Sequence, residues 1–261
     1  MNILYATDMD RTMIFSHRFI KEQVPVSGYT LVEKKDDKEI SYMSDKVISK
    51  LHDLNKNKHV NVVPVTTRSI QEFERINLGI KTRFAIVSNG GTILEYGKPM
   101  EDWETYIKEH INRFDLIDCA LDMAELASVS RESKFIDNKY IFNKTTNPEV
   151  YDFEIGSLIG KYPDLTFVRQ KNKVYAIPKC FSKAIALRWL QNRLGCDKLV
   201  ASGDSELDLP MLAIADYAII PDHGDLVKCG YVTSGRIVSG GIDSPLQTFD
   251  IIEQILSENK H

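Results

Sequence analysis

Short, densely apolar runs recur along the chain, each followed by a stretch in which apolar residues return every three or four positions. Residues 2–7 and 60–65 are the first two runs, and both are short enough to read as buried strands. Between them Val47, Ile48, Leu51 and Leu54 share one helical face, with Ser44 placed as N-cap. Ser69 and Glu72 have capping-box spacing, and Gly79 is positioned to stop the helix they open. Residues 84–87 form another strand, ended by Ser88-Asn89-Gly90-Gly91. Towards the far end Ser182 opens a helix carrying Ala184, Leu187, Leu190 and Leu194, which Gly195 stops, and 198–201 and 217–220 are strands. This alternation predicts an α/β fold, a Rossmann-like parallel sheet core with helices on both faces.

The middle of the chain follows another pattern. Helical stretches at 102–127 and 148–160 are mixed with short strands at 139–142, 165–169 and 173–177, the last two parted by the polar turn Gln170-Lys171-Asn172. We expect an inserted α+β cap domain over 94–176, joined by two crossings to a core made of 1–93 and 177–261. A hairpin of 29–33 and 39–43, turning through the mixed-charge run EKKDDKE that reads as solvated, comes soon enough after the first strand to lie over the strand ends.

Composition narrows the partners. The 261 residues are 43% hydrophobic with a net charge of −4, and no Lys/Arg run is long enough to track a nucleic acid polymer. Cys119, Cys180, Cys196 and Cys229 are scattered, with no CxxC pair to signal zinc or a redox motif. Neither a basic-then-apolar leader nor an apolar run of about 18 residues is present. The expectation is a cytoplasmic protein whose partner is a small molecule rather than a membrane.

In an open parallel sheet, ligands bind beyond the carboxyl ends of the strands. Asp8 and Asp10 follow the first strand, Thr66-Thr67-Arg68 the second, Lys183 opens a helix, and GDSELD (203–208) follows strand 198–201. Two carboxylates so close repel unless a cation or a shared proton compensates. Asp8 and Asp204 are the residue types that Mg²⁺ takes from a protein when substrate phosphate supplies further oxygens. The Thr66 hydroxyl and the Lys183 ammonium suit the remaining phosphoryl oxygens.

DMDRT, VTTR, the lysine of FSKAIAL and GDSELD resemble, in order, the four motifs of the haloacid dehalogenase superfamily phosphatases. SNGG at 88–91 and the inserted domain resemble the Cof-type, class IIB branch. The resemblance implies a Mg²⁺-dependent phosphomonoester hydrolase acting on a small phosphorylated metabolite, with sugar phosphates the default class. It makes Asp8 the nucleophile that forms an aspartyl-phosphate and Asp10 the acid and base. Asp8, Asp204, the Asp10 carbonyl and, more remotely, Asp208 become the metal residues, with Asp208 orienting water or Lys183. Thr66 and Lys183 hold the phosphoryl group, and Arg68 and Asn89 become substrate contacts. Asn89 can equally shape a tight turn, Arg68 can be a surface residue, and Asp208 can simply stabilise a helix start.

Three positions depart from the pattern. Arg11 and Thr67 stand where relatives carry glycine, and Leu207 where Cof-type relatives carry asparagine. A phosphomutase, or an idle fold kept for binding or regulation, are the competing readings. His17 and His223 have no partner at ligand spacing, and Trp103 and Trp189 read as core.

Overall fold

A computed structural model describes residues 1–21, 28–230 and 235–258. Among the described residues the central sheet has eight strands. Ile3–Asp8 pairs in parallel with Val60–Val65 on one side and Lys198–Ser202 on the other. Outward from Lys198–Ser202 lie Tyr217–Pro221 and Arg236–Val238, also parallel. Outward from Val60–Val65 come Phe84–Val87, parallel, then Thr92–Glu95 and Lys98–Pro99, antiparallel. The chain leaves the first strand to one side and returns on the other, so the carboxyl end of Ile3–Asp8 stands at the switch point where such sheets bind ligands.

Alternation along the first strand explains the two layers. Ile3 and Tyr5 pack with Leu51, Val62 and Phe249, whereas Leu4 and Ala6 pack with Val63, Leu187 and Trp103, and all are buried. A strand buried on both faces has no polar face, hence its continuous apolar sequence.

The middle of the chain forms a smaller antiparallel sheet, ordered Leu165–Gln170, Lys173–Pro178, Tyr140–Lys144, Lys134–Ile136. Ile141, Val174 and Ala176 face its own helices, Arg113–Glu125 and Pro148–Lys161, through Leu116, Met123 and Leu158. Tyr140 and Tyr175 face the other way and join the core cluster of the central sheet. Tyr29–Lys35 and Lys38–Ser44 form the expected hairpin, extended by Phe15–Ser16.

Several expectations change. The boundary expected at 94 falls inside Thr92–Glu95, and the central sheet runs on to Pro99. The helix expected over 102–127 is two helices, Glu101–His110 and Arg113–Glu125, because Ile111 and Asn112 turn extended and the Asn112 side chain caps Phe114 N–H. Ser69 makes its capping box with Glu72, but the helix Ile70–Glu74 ends well before Gly79. Ser44 stands at its N-cap position without a side-chain cap bond, while Ser182 accepts from Ile185 N–H and Gly195 takes the left-handed cap. Trp103 is buried core with Trp189 packed against it. Among the described residues, no helix is long and apolar enough to cross a membrane.

Candidate active site

Three loops bring the chemistry together where the central strands end. Asp8 is the last residue of Ile3–Asp8 and pairs in register with Val65, while Asp204 lies two residues beyond Lys198–Ser202. Lys183 begins the helix Lys183–Leu194. A Cβ at Gly90, where φ is +97°, would lie 2.3 Å from the Ser182 carbonyl oxygen, so the SNGG turn can abut this helix start only as glycine. Gly203 is likewise fixed, since its Cβ would meet that of Asp208 at 2.5 Å.

The Lys183 ammonium is buried and donates to Asp8 Oδ1 at 2.7 Å and Asp208 Oδ1 at 2.5 Å. Burial alone would lower its pKa, but Asp208 and Asp8 more than offset this and raise it. Asp208 is fully buried, and its Oδ2 accepts from Asp204 N–H, Ser205 N–H and the Ser205 hydroxyl. Both oxygens of Asp208 are thus engaged in holding Lys183 and the 204–205 loop. Asp8, Asp204 and Asp208 each offer a carboxylate oxygen within 4.8 Å of the others. Burial, then the charge of Asp208, raises the pKa of Asp8 well above the usual carboxylate range despite Lys183. The same two causes, opposed by Arg11, push Asp204 up to about 7.

Asp204 Oδ2 is buried without a hydrogen-bond partner among the described residues, with only an ion-pair contact from Arg11 Nη1 at 3.3 Å. A hard carboxylate oxygen left so, in a buried cluster of three carboxylates, fits a divalent cation.

Asp10 points elsewhere. Its carboxylate is half exposed and takes both Arg68 Nε and Nη2, at 2.8 and 2.7 Å. Arg68 Nη1 also reaches Glu33 Oε1 at 2.6 Å, and Ser41 donates to Glu33 Oε2 at 2.9 Å. Glu33 is therefore buried, not part of the solvated turn that its sequence neighbours suggested. Arg68 is engaged with these two acids. Thr66 is buried and its hydroxyl accepts from Arg68 N–H at 3.2 Å, while Asn89 shapes the SNGG turn in left-handed backbone, its N–H on Thr66 O. Neither Thr66 nor Asn89 lines the cavity described next, whereas Thr67 does.

A cavity of about 460 Å³ opens above the acids. Asp8, Asp10, Lys183 and Asp204 form part of one wall, Glu33, Lys35 and Ile40 of the hairpin another. The smaller sheet contributes Tyr140, Phe142, Lys173 and Tyr175, with the turn Gln170-Lys171-Asn172. Tyr140, Phe142 and Tyr175 lie on one face by strand alternation, and their rings approach one another at 5.7 to 6.1 Å. The two layers are tied by Tyr140 donating to Thr67 O at 2.5 Å, Asp137 accepting from Ile70 N–H at 2.8 Å, and Lys171 on Asp225 at 3.3 Å. None of Glu33, Lys171, Asp225 or the three rings was singled out by sequence; only the alternation at 140–142 and 173–175 carried a signal.

Fold and site together define the class: a phosphatase of the haloacid dehalogenase superfamily. The sequence profile of sucrose-6F-phosphate phosphohydrolase matches residues 1–222, and the chain belongs to that family. The sucrose-phosphatase of Synechocystis sp. PCC6803, solved with sucrose and phosphate, has a similar fold at a TM-score of 0.67 and 14% identity, covering 95% of this chain and 98% of that one. A haloacid dehalogenase-like hydrolase from B. subtilis gives 0.58 at 17% identity, covering 95% and 98%. A subclass IIB sugar phosphatase of the superfamily gives 0.60 at 14%, covering 93% and 95%. No curated protein sequence matches the chain. Phosphatases of this superfamily use a metal ion, and the buried acidic triad is present here.

Proposed function

We propose that the chain is a Mg²⁺-dependent phosphomonoester hydrolase of sugar phosphates that works through an aspartyl-phosphate. The observation that carries this is the Asp8–Lys183–Asp208 bridge beside the Asp204 oxygen that has no hydrogen-bond partner among the described residues, at the floor of a cavity of small-molecule size. Asp8, Asp204 and the Asp10 carbonyl would hold the cation, which when bound neutralises charge on the phosphoryl oxygens. Lys183 keeps Asp8 oriented and lends the same oxygens positive charge. One Asp8 oxygen attacks phosphorus in line as the bond to the sugar oxygen breaks. Asp10, half exposed and bridged to Arg68, turns from the arginine and gives its proton to that oxygen. It then takes a proton from the water that attacks the acyl phosphate, releasing phosphate and restoring both acids.

We read the segment from about 100 to 178 as a cap that chooses the substrate. The aromatic wall of Tyr140, Phe142 and Tyr175 suits the apolar face of a sugar ring, and Gln170, Asn172 and Glu72 suit its hydroxyls. Membership of its family puts sucrose 6-phosphate first among candidates.

The test is phosphate release from sucrose 6-phosphate, hexose phosphates and nucleotides, with Mg²⁺ and with EDTA, beside Asp8→Asn and Asp10→Asn. Metal-dependent release lost in both variants is expected. Full activity in Asp8→Asn would remove the nucleophile assignment, and phosphoryl return to the substrate without net release would make the enzyme a mutase.

A further inference from the structure

Arg11 occupies a backbone position that asks for glycine, with φ at 63°. The surroundings hold it there. Its N–H donates to Ile14 O at 2.8 Å, and its carbonyl accepts from His223 Nε2 at 2.7 Å. Gly241 N–H donates to His223 Nδ1 at 3.0 Å, which leaves the imidazole proton on Nε2 for Arg11. The guanidinium is fixed as well. Nη1 reaches both oxygens of Asp225 at 3.1 and 3.2 Å, and Nη2 donates to His223 O at 3.0 Å.

That same Nη1 lies 3.3 Å from Asp204 Oδ2, the buried oxygen without a hydrogen-bond partner among the described residues. The acceptor best suited to a cation thus faces a permanent positive charge, while Asp225 competes for the same guanidinium nitrogen. Glycine at position 11 would present neither the charge nor the backbone strain.

We propose that Arg11 is an internal competitor for the divalent cation: its guanidinium shares the Asp204 oxygen that the cation needs, and Asp225 sets how far it leans there. The inference rests on the metal-dependent reading above. Arg11 is a positioning residue here, acting on the cation through Asp204. A single charge displaced a few ångströms from a divalent ion in a poorly hydrated site changes its affinity by about tenfold or more. The chain therefore binds Mg²⁺ more weakly than it would with glycine, and it is held together partly by its own arginine when metal is scarce.

Calorimetric titration of Mg²⁺ into the metal-free protein tests this without any turnover. Arg11→Gly and Arg11→Gln are both expected to bind Mg²⁺ about tenfold tighter or more. Asp225→Asn, which leaves Arg11 free to pair with Asp204, is expected to bind it more weakly. Asp204→Asn should abolish the heat, assigning it to this site. Unchanged or weaker affinity in both Arg11 variants would overturn the proposal, and so would a gain confined to Arg11→Gly, which would trace it to backbone relaxation. If Mg²⁺ binds the wild type through Asp204 and the Arg11 variants match it, only this inference falls. If neither wild type nor variants bind Mg²⁺, the metal-dependent hydrolase reading falls with it. Thermal unfolding in EDTA accompanies each titration, so that a misfolded variant is replaced by its partner substitution.

Discussion

Replacing Asp204 by asparagine is expected to make the metal-free protein more stable at alkaline pH while removing its response to Mg²⁺. Asp204 is 3% exposed. Burial, then Asp208, raises its pKa from 3.8 to about 7 against the opposing pull of Arg11. A carboxyl whose pKa is higher folded than unfolded binds more protons in the folded state between those two values. Its stabilising contribution is full below the unfolded value and is lost as pH rises through the folded one. At about 1.4 kcal/mol per decade, the loss between pH 5 and pH 8 is on the order of 3 kcal/mol, or about 6 to 12 °C in Tm.

Asparagine cannot ionise, so Asp204→Asn should not suffer that loss. Asp8 is raised in the same direction, but it is present in both proteins and largely cancels in the difference. Mg²⁺ at a hundred times its Kd should restore about 2.7 kcal/mol to the wild type and nothing to the variant. The assay is thermal unfolding of both proteins at pH 5, 6, 7 and 8, in EDTA and in Mg²⁺. Parallel Tm-against-pH curves in EDTA would refute the reasoning, as would a variant less stable than wild type at pH 8. Either result would mean that Arg11 compensates the buried charge fully.

Other perturbations separate chemistry from architecture. Asp10→Asn should reduce phosphate release by about 10² to 10⁴-fold, yet change stability by less than about 1 kcal/mol because its pairing with Arg68 is half exposed; a large loss in Tm would contradict this. Lys183→Met strands Asp8 and Asp208 without their shared cation and should cost about 3 to 5 kcal/mol at pH 8. The cost should be smaller at pH 5 than at pH 8, because Asp8, raised well above the usual carboxylate range, is more readily protonated there, and equal losses in denaturant melts at both pH values would argue against it. Gly90→Ala forces a Cβ to 2.3 Å from Ser182 O at φ +97°, so a loss of about 2 kcal/mol or more is expected, with a wild-type unfolding midpoint as the contrary result.

The strands and their order of appearance were legible because a strand buried on both faces is mostly apolar, as Ile3–Asp8 is before Thr7 and Val60–Val65 is apart from Asn61. The break at Ile111–Asn112 was hidden because apolar spacing continues across it while the capping asparagine alone ends the register. Asp8 and Lys183 stood out in the sequence since each sits at the end or start of an element, and Asp204 since it follows a strand by two residues. Glu33 was not. Its burial depends on Arg68, Arg75 and Ser41, partners 35, 42 and 8 residues away, and nothing in a run of seven charged residues marks the one that turns inward. Arg11 was visible as a departure, but its consequence depends on Asp225 and His223, more than 200 residues on.

The two acids of DMD end in opposite environments, and the cause is where the strand stops. Had the strand continued, residues 8 and 10 would have shared a face and the same burial. Instead Met9 is fully buried and its carbonyl accepts from the N–H groups of Thr12, Met13 and Ile14, folding the chain back immediately after Asp8. Asp8 stays at the sheet's end against Lys183, where burial makes its charge costly unless cations stay close. Asp10 is carried out to Arg68 at the cavity's edge, where its carboxylate is half exposed. On the mechanism proposed above, the nucleophile must be held still and the acid–base must exchange protons, and a single tight turn anchored on Met9 would give Asp8 and Asp10 those two settings.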